Sequence, residues 1–111
     1  MRLQVKGKGV VVSPSIRQYA EAKLARLAKQ LAEPTQVELE LSEEKNPSIA
    51  ERQVAEATIF TKGPTIRARE ASADLRASID QLADKLERQV KRYHEKRRHE
   101  PRRRAQHNGA E

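Results

Sequence analysis

Six apolar residues near the C-terminal end set the frame for the chain. Leu75, Ile79, Leu82, Leu86, Val90 and Tyr93 follow one another at spacings of three and four, one face of an α-helix. Lys85, Arg88, Arg92 and Lys96 repeat at the same spacings and form a second stripe on one flank of the first. Asp80, Asp84 and Glu87 are expected on the far side. Such a helix packs on a core and presents a cationic edge beside it.

The remaining pattern predicts four strands and one more helix. Leu3 and Val5 alternate with polar neighbours as a first strand, and Gly7 and Gly9 then loosen the chain. Ser13 is a helix N-cap with Pro14 at the first helical position. Ile16, Ala20, Leu24, Leu27 and Leu31 make the buried stripe of that helix, which Pro34 ends. Tyr19, Lys23 and Arg26 line its flank. Val37, Leu39 and Leu41 alternate with Glu38, Glu40 and Ser42 in a half-buried strand. Asn46-Pro47 marks a turn. Residues 52–61 form the next strand, burying either Ala55, Ala57 and Ile59 or Val54, Thr58 and Phe60; the first set is preferred, because the second puts Glu56 inside. Lys62-Gly63-Pro64 is a hairpin turn into a fourth strand carrying Ile66 and Ala68. Ser72 is expected to cap the last helix, with Asp74 assisting through the helix dipole. Pro101 is expected to stop it, leaving 99–111 a basic, disordered tail.

The order β-α-β-β-β-α implies an α+β domain. A meander of three antiparallel strands is joined by a first strand that returns through a right-handed crossover to lie parallel to a neighbour. Each strand has one apolar face, so both helices cover one side of the sheet and the other side is wet. On this arrangement the flank Tyr19, Lys23, Arg26 and the flank Lys85, Arg88, Arg92 are expected to meet as one basic surface.

Composition narrows the function. Eight of the 23 Lys and Arg lie in residues 91–104, against two of the 16 acids, so the net charge of +7 is concentrated at one end. That asymmetry points to a polyanion such as nucleic acid. The absence of cysteine excludes disulfides and thiolate metal sites and fits a reducing, cytoplasmic setting. No membrane span and no signal peptide are expected. His94, His99 and His107 stand among cations that repel a metal and are expected to be solvated. No catalytic constellation, cofactor or metal site is evident, so the chain is read as a non-enzyme. Aromatic content of 3% disfavours reading single strands by stacking and favours folded RNA.

The segment from Thr65 resembles a known family. Asp74, Leu75, Ser78, Ile79, Asp80, Leu82, Asp84, Lys85, Leu86, Arg88 and Gln89 match the D-[ML]-x-x-[AS]-I-D-x-L-x-D-K-L-x-R-Q pattern of the ribosome hibernation-promoting factors, or ribosome-associated inhibitors. Ser13, Ile16, Arg17, Tyr19, Lys23, Leu24 and Leu27 match the family's S-x-x-I-R-x-Y-x-x-x-K-L-x-x-L. The resemblance covers residues 1–98 and implies a βαβββα domain similar to double-stranded-RNA-binding domains. It implies a monomer that binds the 30S subunit and the 70S ribosome in the mRNA and tRNA channel at the A and P sites. Such a factor inhibits translation and preserves idle ribosomes in stress or stationary phase. Carried over, the rRNA-binding residues are Lys23, Arg26, Lys85, Arg88, Lys91, Arg92 and Lys96. The chain lacks the second, dimerising domain of long-form relatives, so pairing into 100S particles would need a separate dimerising factor. The basic tail departs from the family's short forms; it is read as a further rRNA contact in preference to a solvated spacer. The competing readings are a structured-RNA-binding module acting off the ribosome and an adaptor for acidic proteins.

Overall fold

The computed structural model describes residues 1–31 and 35–110, with side chains through Glu95. Four strands, β1 (Arg2–Lys8), β2 (Gln36–Glu43), β3 (Gln53–Phe60) and β4 (Thr65–Ser72), alternate with α1 (Pro14–Leu24) and α2 (Leu75–Ala110) in the expected order. They form one sheet of order β1-β2-β3-β4. β1 is parallel to β2, with Leu3 beside Val37 and Val5 beside Leu39; the other two pairings are antiparallel. The fold is therefore α+β, with β1 and β4 as the two sheet edges.

Val37, Leu39 and Leu41 of β2 and Ala55, Ala57 and Ile59 of β3 are all fully buried, so the period-two pattern selects the preferred set on β3. Glu56 faces solvent. Val54, from the opposite set, is also buried, because Lys8, Gly9 and the Glu43–Lys45 segment close over that end of the open face. The small residues Ala55, Ala57 and Ala68 let Ile79, Leu82, Leu86 and Val90 of α2 descend onto the sheet. Ala20, Leu24, Leu27 and Leu31 complete the core from the other side.

Local chemistry sets the ends of the elements. Ser13 caps α1, its Oγ accepting from the Ile16 amide at 3.2 Å, with Pro14 next. Gly9 supplies a left-handed turn (φ 71°), and a Cβ at Gly7 would collide with the Val10 carbonyl. α1 tightens at Ala25 into a 3-10 helix, Ala25–Lys29, rather than continuing as a regular helix. Pro34, the expected terminator, lies outside the described residues.

The cap of α2 differs from expectation. Asp74 caps it: its Oδ2 accepts from the Ala77 amide at 3.2 Å. Ser72 ends β4 instead, and its Oγ lies 2.8 Å from the Oγ of Ser78. Ser78 is fully buried and donates to the Gln53 carbonyl at 2.6 Å, pinning the first turn of α2 to the start of β3. The helix also carries its backbone past Pro101 to Ala110. The ring costs a donor and crowds the turn before it. The flanking Lys, Arg, Glu, Ala and Gln residues are favourable helix formers that oppose this cost.

Replacing Ser78 with Ala leaves a buried carbonyl short of a partner, so the variant should unfold about 1–3 kcal/mol more easily. Chemical denaturation of both proteins measures the difference.

Candidate nucleic-acid interface

The apolar stripe fixes how α2 is turned about its axis, and with it the direction of each charged flank. The result departs from the expected single basic surface. Asp80, Asp84 and Glu87 do not sit on the far side: they face α1. Tyr19 donates from its hydroxyl to Asp80 Oδ1 at 2.7 Å, and Lys23 Nζ stands 3.3 Å from the same oxygen. Arg26 Nε is 2.9 Å from Glu87 and its guanidinium reaches Asp84 at 3.6 Å. Further along, His94, expected to be solvated, is half-buried with Nε2 against the Gln30 carbonyl. Residue numbers rise together on both helices, so α1 and α2 run side by side as a ladder whose rungs join α1 cations to α2 acids.

Two of the expected contact residues, Lys23 and Arg26, thus belong to this seam. Lys23 and Arg76 also pack over the Tyr19 ring, 5.6 and 5.1 Å from its centroid. Arg17, on the N-terminal part of α1, donates to the Val5 carbonyl of β1 at 3.1 Å and ties that helix to the sheet edge.

The other expected contact cations lie outside this ladder of ion pairs. Lys85 turns toward β4, where its Nζ donates to the Arg69 carbonyl at 3.3 Å. Arg88 and Lys91 stand on the solvent ridge and line a shallow hollow with Gln30, Asp84 and Glu87. Arg92 lies on the β4 side, in a groove with Pro64, Ile66, Arg67, Gln89 and Tyr93. Among the described residues, Lys85, Arg88, Lys91 and Arg92 make no ion pair. Lys96 is on α2, but its side chain is outside the described set. The structure therefore places Lys85 and Arg92 on the β4 side of α2, and Arg88 and Lys91 on its solvent ridge beside the acidic rungs Asp84 and Glu87.

The open sheet face is chemically mixed. Lys6, Glu40, Glu56 and Arg69 form one cross-strand row, and Gln4, Glu38, Thr58 and Arg67 the next. Only the edges carry cations, so the middle of this face repels phosphate. Among the described residues no group of His, Asp and Glu is arranged to hold a metal, and no helix is long and apolar enough to cross a membrane.

The hydrogen bond to Asp80, with a smaller contribution from burial and from the charge of that carboxylate, raises the Tyr19 phenol above its ordinary value of 10.0. A raised phenol pKa means that the fold favours the neutral form. This contribution to stability is fully present below the unfolded value and is lost as pH climbs through the folded one. Ultraviolet difference titration should find Tyr19 ionising later than a free tyrosine, and Asp80→Asn should move it back down. Arg26→Gln, which removes the surface pairs to Glu87 and Asp84, should cost only about 0.2–1 kcal/mol per pair in denaturation.

Comparison with known proteins agrees with this architecture. Residues 3–98 match the family described as Sigma 54 modulation protein / S30EA ribosomal protein. A ribosome hibernation promotion factor of Picosynechococcus is 39% identical over 97 residues, which cover 86% of this chain and 50% of that protein. A ribosome hibernation promoting factor of Pseudomonas putida is 35% identical over 96 residues, 86% of this chain and 89% of that protein. The chain thus spans half the length of the first relative and most of the second. Among solved structures, the N-terminal domain of Thermus thermophilus Protein Y aligns with TM-score 0.72 at 33% identity, covering 84% of this chain and 99% of that one. A ribosomal subunit interface protein from Coxiella burnetii aligns with TM-score 0.71 at 28% identity, covering 84% and 97%. With the element order, the capped helices and the cationic flank in place, the match over residues 3–98 shows that this chain belongs to the Sigma 54 modulation protein / S30EA ribosomal protein family, the family of the ribosome hibernation factors.

Proposed function

We propose that this chain is a ribosome hibernation factor: it binds the small ribosomal subunit through rRNA in the mRNA and tRNA channel, inhibits translation and preserves idle ribosomes. The observation that carries this reading is the family match over residues 3–98, on a chain whose α2 holds four cations, Lys85, Arg88, Lys91 and Arg92, that make no ion pair among the described residues. The chemistry fits a non-enzymatic role. Lys and Arg supply affinity by neutralising phosphates and releasing counterions, which requires shape and charge and no bond making.

On this reading Lys85, Arg88, Lys91 and Arg92 make the principal phosphate contacts, with Lys96 continuing the same stripe. Lys23 and Arg26 add less, since each must share its charge with an α2 acid or give that pairing up. The basic segment from Arg97 to Arg104 extends the positive field beyond the residues 1–98 domain and adds rRNA contacts. Free in the cytoplasm the protein is a monomer.

Sucrose-gradient sedimentation of ribosomes with the tagged protein tests the reading. Co-migration with 30S and 70S particles, lost when mRNA and initiator tRNA are added, is the expected result. Protein that stays at the top of the gradient would move the reading to a module acting on RNA off the ribosome. Reversing charge in the triple variant Lys85→Glu, Arg88→Glu, Arg92→Glu should abolish co-sedimentation. Its stability should change by about 0.5 kcal/mol or less at the exposed Arg88 and Arg92, and by about 0.5–1.5 kcal/mol at the half-buried Lys85, which loses its hydrogen bond to the Arg69 carbonyl. A triple variant that still sediments with ribosomes would remove these residues from the interface.

A further inference from the structure

The groove between α2 and β4 contains two features that the phosphate contacts above leave unexplained. The first is Arg67. It stands on the sheet face turned away from α2, yet β4 is an edge strand, and Arg67 lines the same hollow of about 300 Å3 as Arg92. Two guanidiniums from different elements thus border one groove, and neither makes an ion pair among the described residues. Such a pair repels itself when empty and is relieved by an anion between its members. The planar fork of each guanidinium suits a phosphate's oxygens.

The second feature is Gln89, which borders the groove between these arginines. Its Oε1 is buried without a hydrogen-bond partner. A buried acceptor left unmatched costs stability, so its presence in a groove needs an explanation. Half a turn of the carboxamide exchanges Oε1 and Nε2 and presents the acceptor to the hollow. The groove then offers two cationic donors for a phosphate and one neutral acceptor for a hydroxyl. Tyr93 and Ile66 give it a partly apolar wall.

We propose that the α2–β4 groove is a ribose-phosphate subsite, in which Arg67 and Arg92 clamp one backbone phosphate of RNA and Gln89 accepts a hydrogen bond from a neighbouring ribose 2′-hydroxyl. The inference rests on the ribosome-binding reading and extends its interface around the edge of the sheet. It gives the surface a chemical means of distinguishing RNA from DNA, since only RNA carries the 2′-hydroxyl. Gln4, Glu38 and Thr58, which share a cross-strand row with Arg67, place an acidic residue two strands away, so the site ends at the sheet edge.

The test uses the full chain with purified 30S subunits and with matched RNA and DNA duplexes, measuring affinity across a salt series. Arg67→Gln should weaken binding to 30S and to RNA several-fold. It should also reduce the slope of log K against log salt by about 0.7–0.9, the value of one phosphate. Gln89→Leu should leave the slope unchanged and diminish the preference for RNA over DNA, with no fall in thermal stability because the buried end of the carboxamide has no partner in either orientation. Thermal melts of both variants confirm folding. Wild-type affinity and slope in Arg67→Gln, or an unaltered RNA preference in Gln89→Leu, would overturn the subsite while leaving ribosome binding intact. Lost 30S binding with an unchanged salt slope would also overturn it, since that points to a protein strand pairing with the open edge of β4. Wild-type protein that fails to bind 30S would instead overturn the broader reading.

Discussion

The rotation of α2 about its own axis is the constraint on which the other placements depend. Ile79, Leu82, Leu86 and Val90 are each fully buried against the sheet. Burying four such side chains contributes roughly 1.5–3 kcal/mol apiece, whereas the exposed ion pairs along the seam are worth about 0–1 kcal/mol each. The apolar stripe therefore dictates the rotation, and the charges take the positions left to them. Once the stripe is down, one flank must look toward α1 and the other toward β4. Asp80, Asp84 and Glu87 occupy the first, and Lys85 and Arg92 the second.

Strand identity, strand order within the meander, the parallel return of β1 and the Ser13 cap were all legible in the sequence, because each follows from local periodicity or local backbone chemistry. The sequence pattern also located both basic flanks correctly relative to their own stripes. What periodicity does not carry is which side of a stripe the neighbouring helix lies on; that depends on the hand of the crossover and the direction of α2. The signal that was available is complementarity. Lys23 and Arg26 are spaced by three on α1, while Asp80, Asp84 and Glu87 are spaced by four and three on α2. Two helices on the same sheet face with opposite charge at matching spacing should have been expected to face each other. The same logic explains the cap: Ser72 and Asp74 are both cap-forming residues, and only the end of β4 decides between them.

His94 and Arg67 escaped for a different reason. Nothing in their immediate surroundings marks them, because their partners come from distant elements. His94 meets Gln30 only because α1 continues into a 3-10 helix beside α2. Arg67 reaches the groove that Arg92 borders only because β4 has no strand on its outer side. An alternating strand pattern shows that Arg67 is on the polar face, but the edge position is a property of the whole sheet.

The seam also divides the positive charge into two kinds. Lys23 and Arg26 are held within ion-pair distance of α2 acids, so an incoming phosphate gains from them only the difference between two partners. Among the described residues, Lys85, Arg88, Lys91 and Arg92 are bound to no acid, and a phosphate gains their full interaction, less the cost of ordering flexible side chains. A free protein with many unpaired cations in one region bears self-repulsion. Here that repulsion is confined to one flank, while the opposite flank is neutralised and helps fix the helix pair. The acids thus do two things at once: they hold α1 in register with α2, and they neutralise Lys23 and Arg26, leaving the cations without an acid on the outer ridge and the β4 side of α2. A polyanion approaching the helical layer meets alternating charge over the seam and, beyond it, Lys85, Arg88, Lys91 and Arg92 with only Glu70 and Glu95 among them. The orientation in which RNA is received is therefore set by where the acids are, as much as by where the arginines and lysines are.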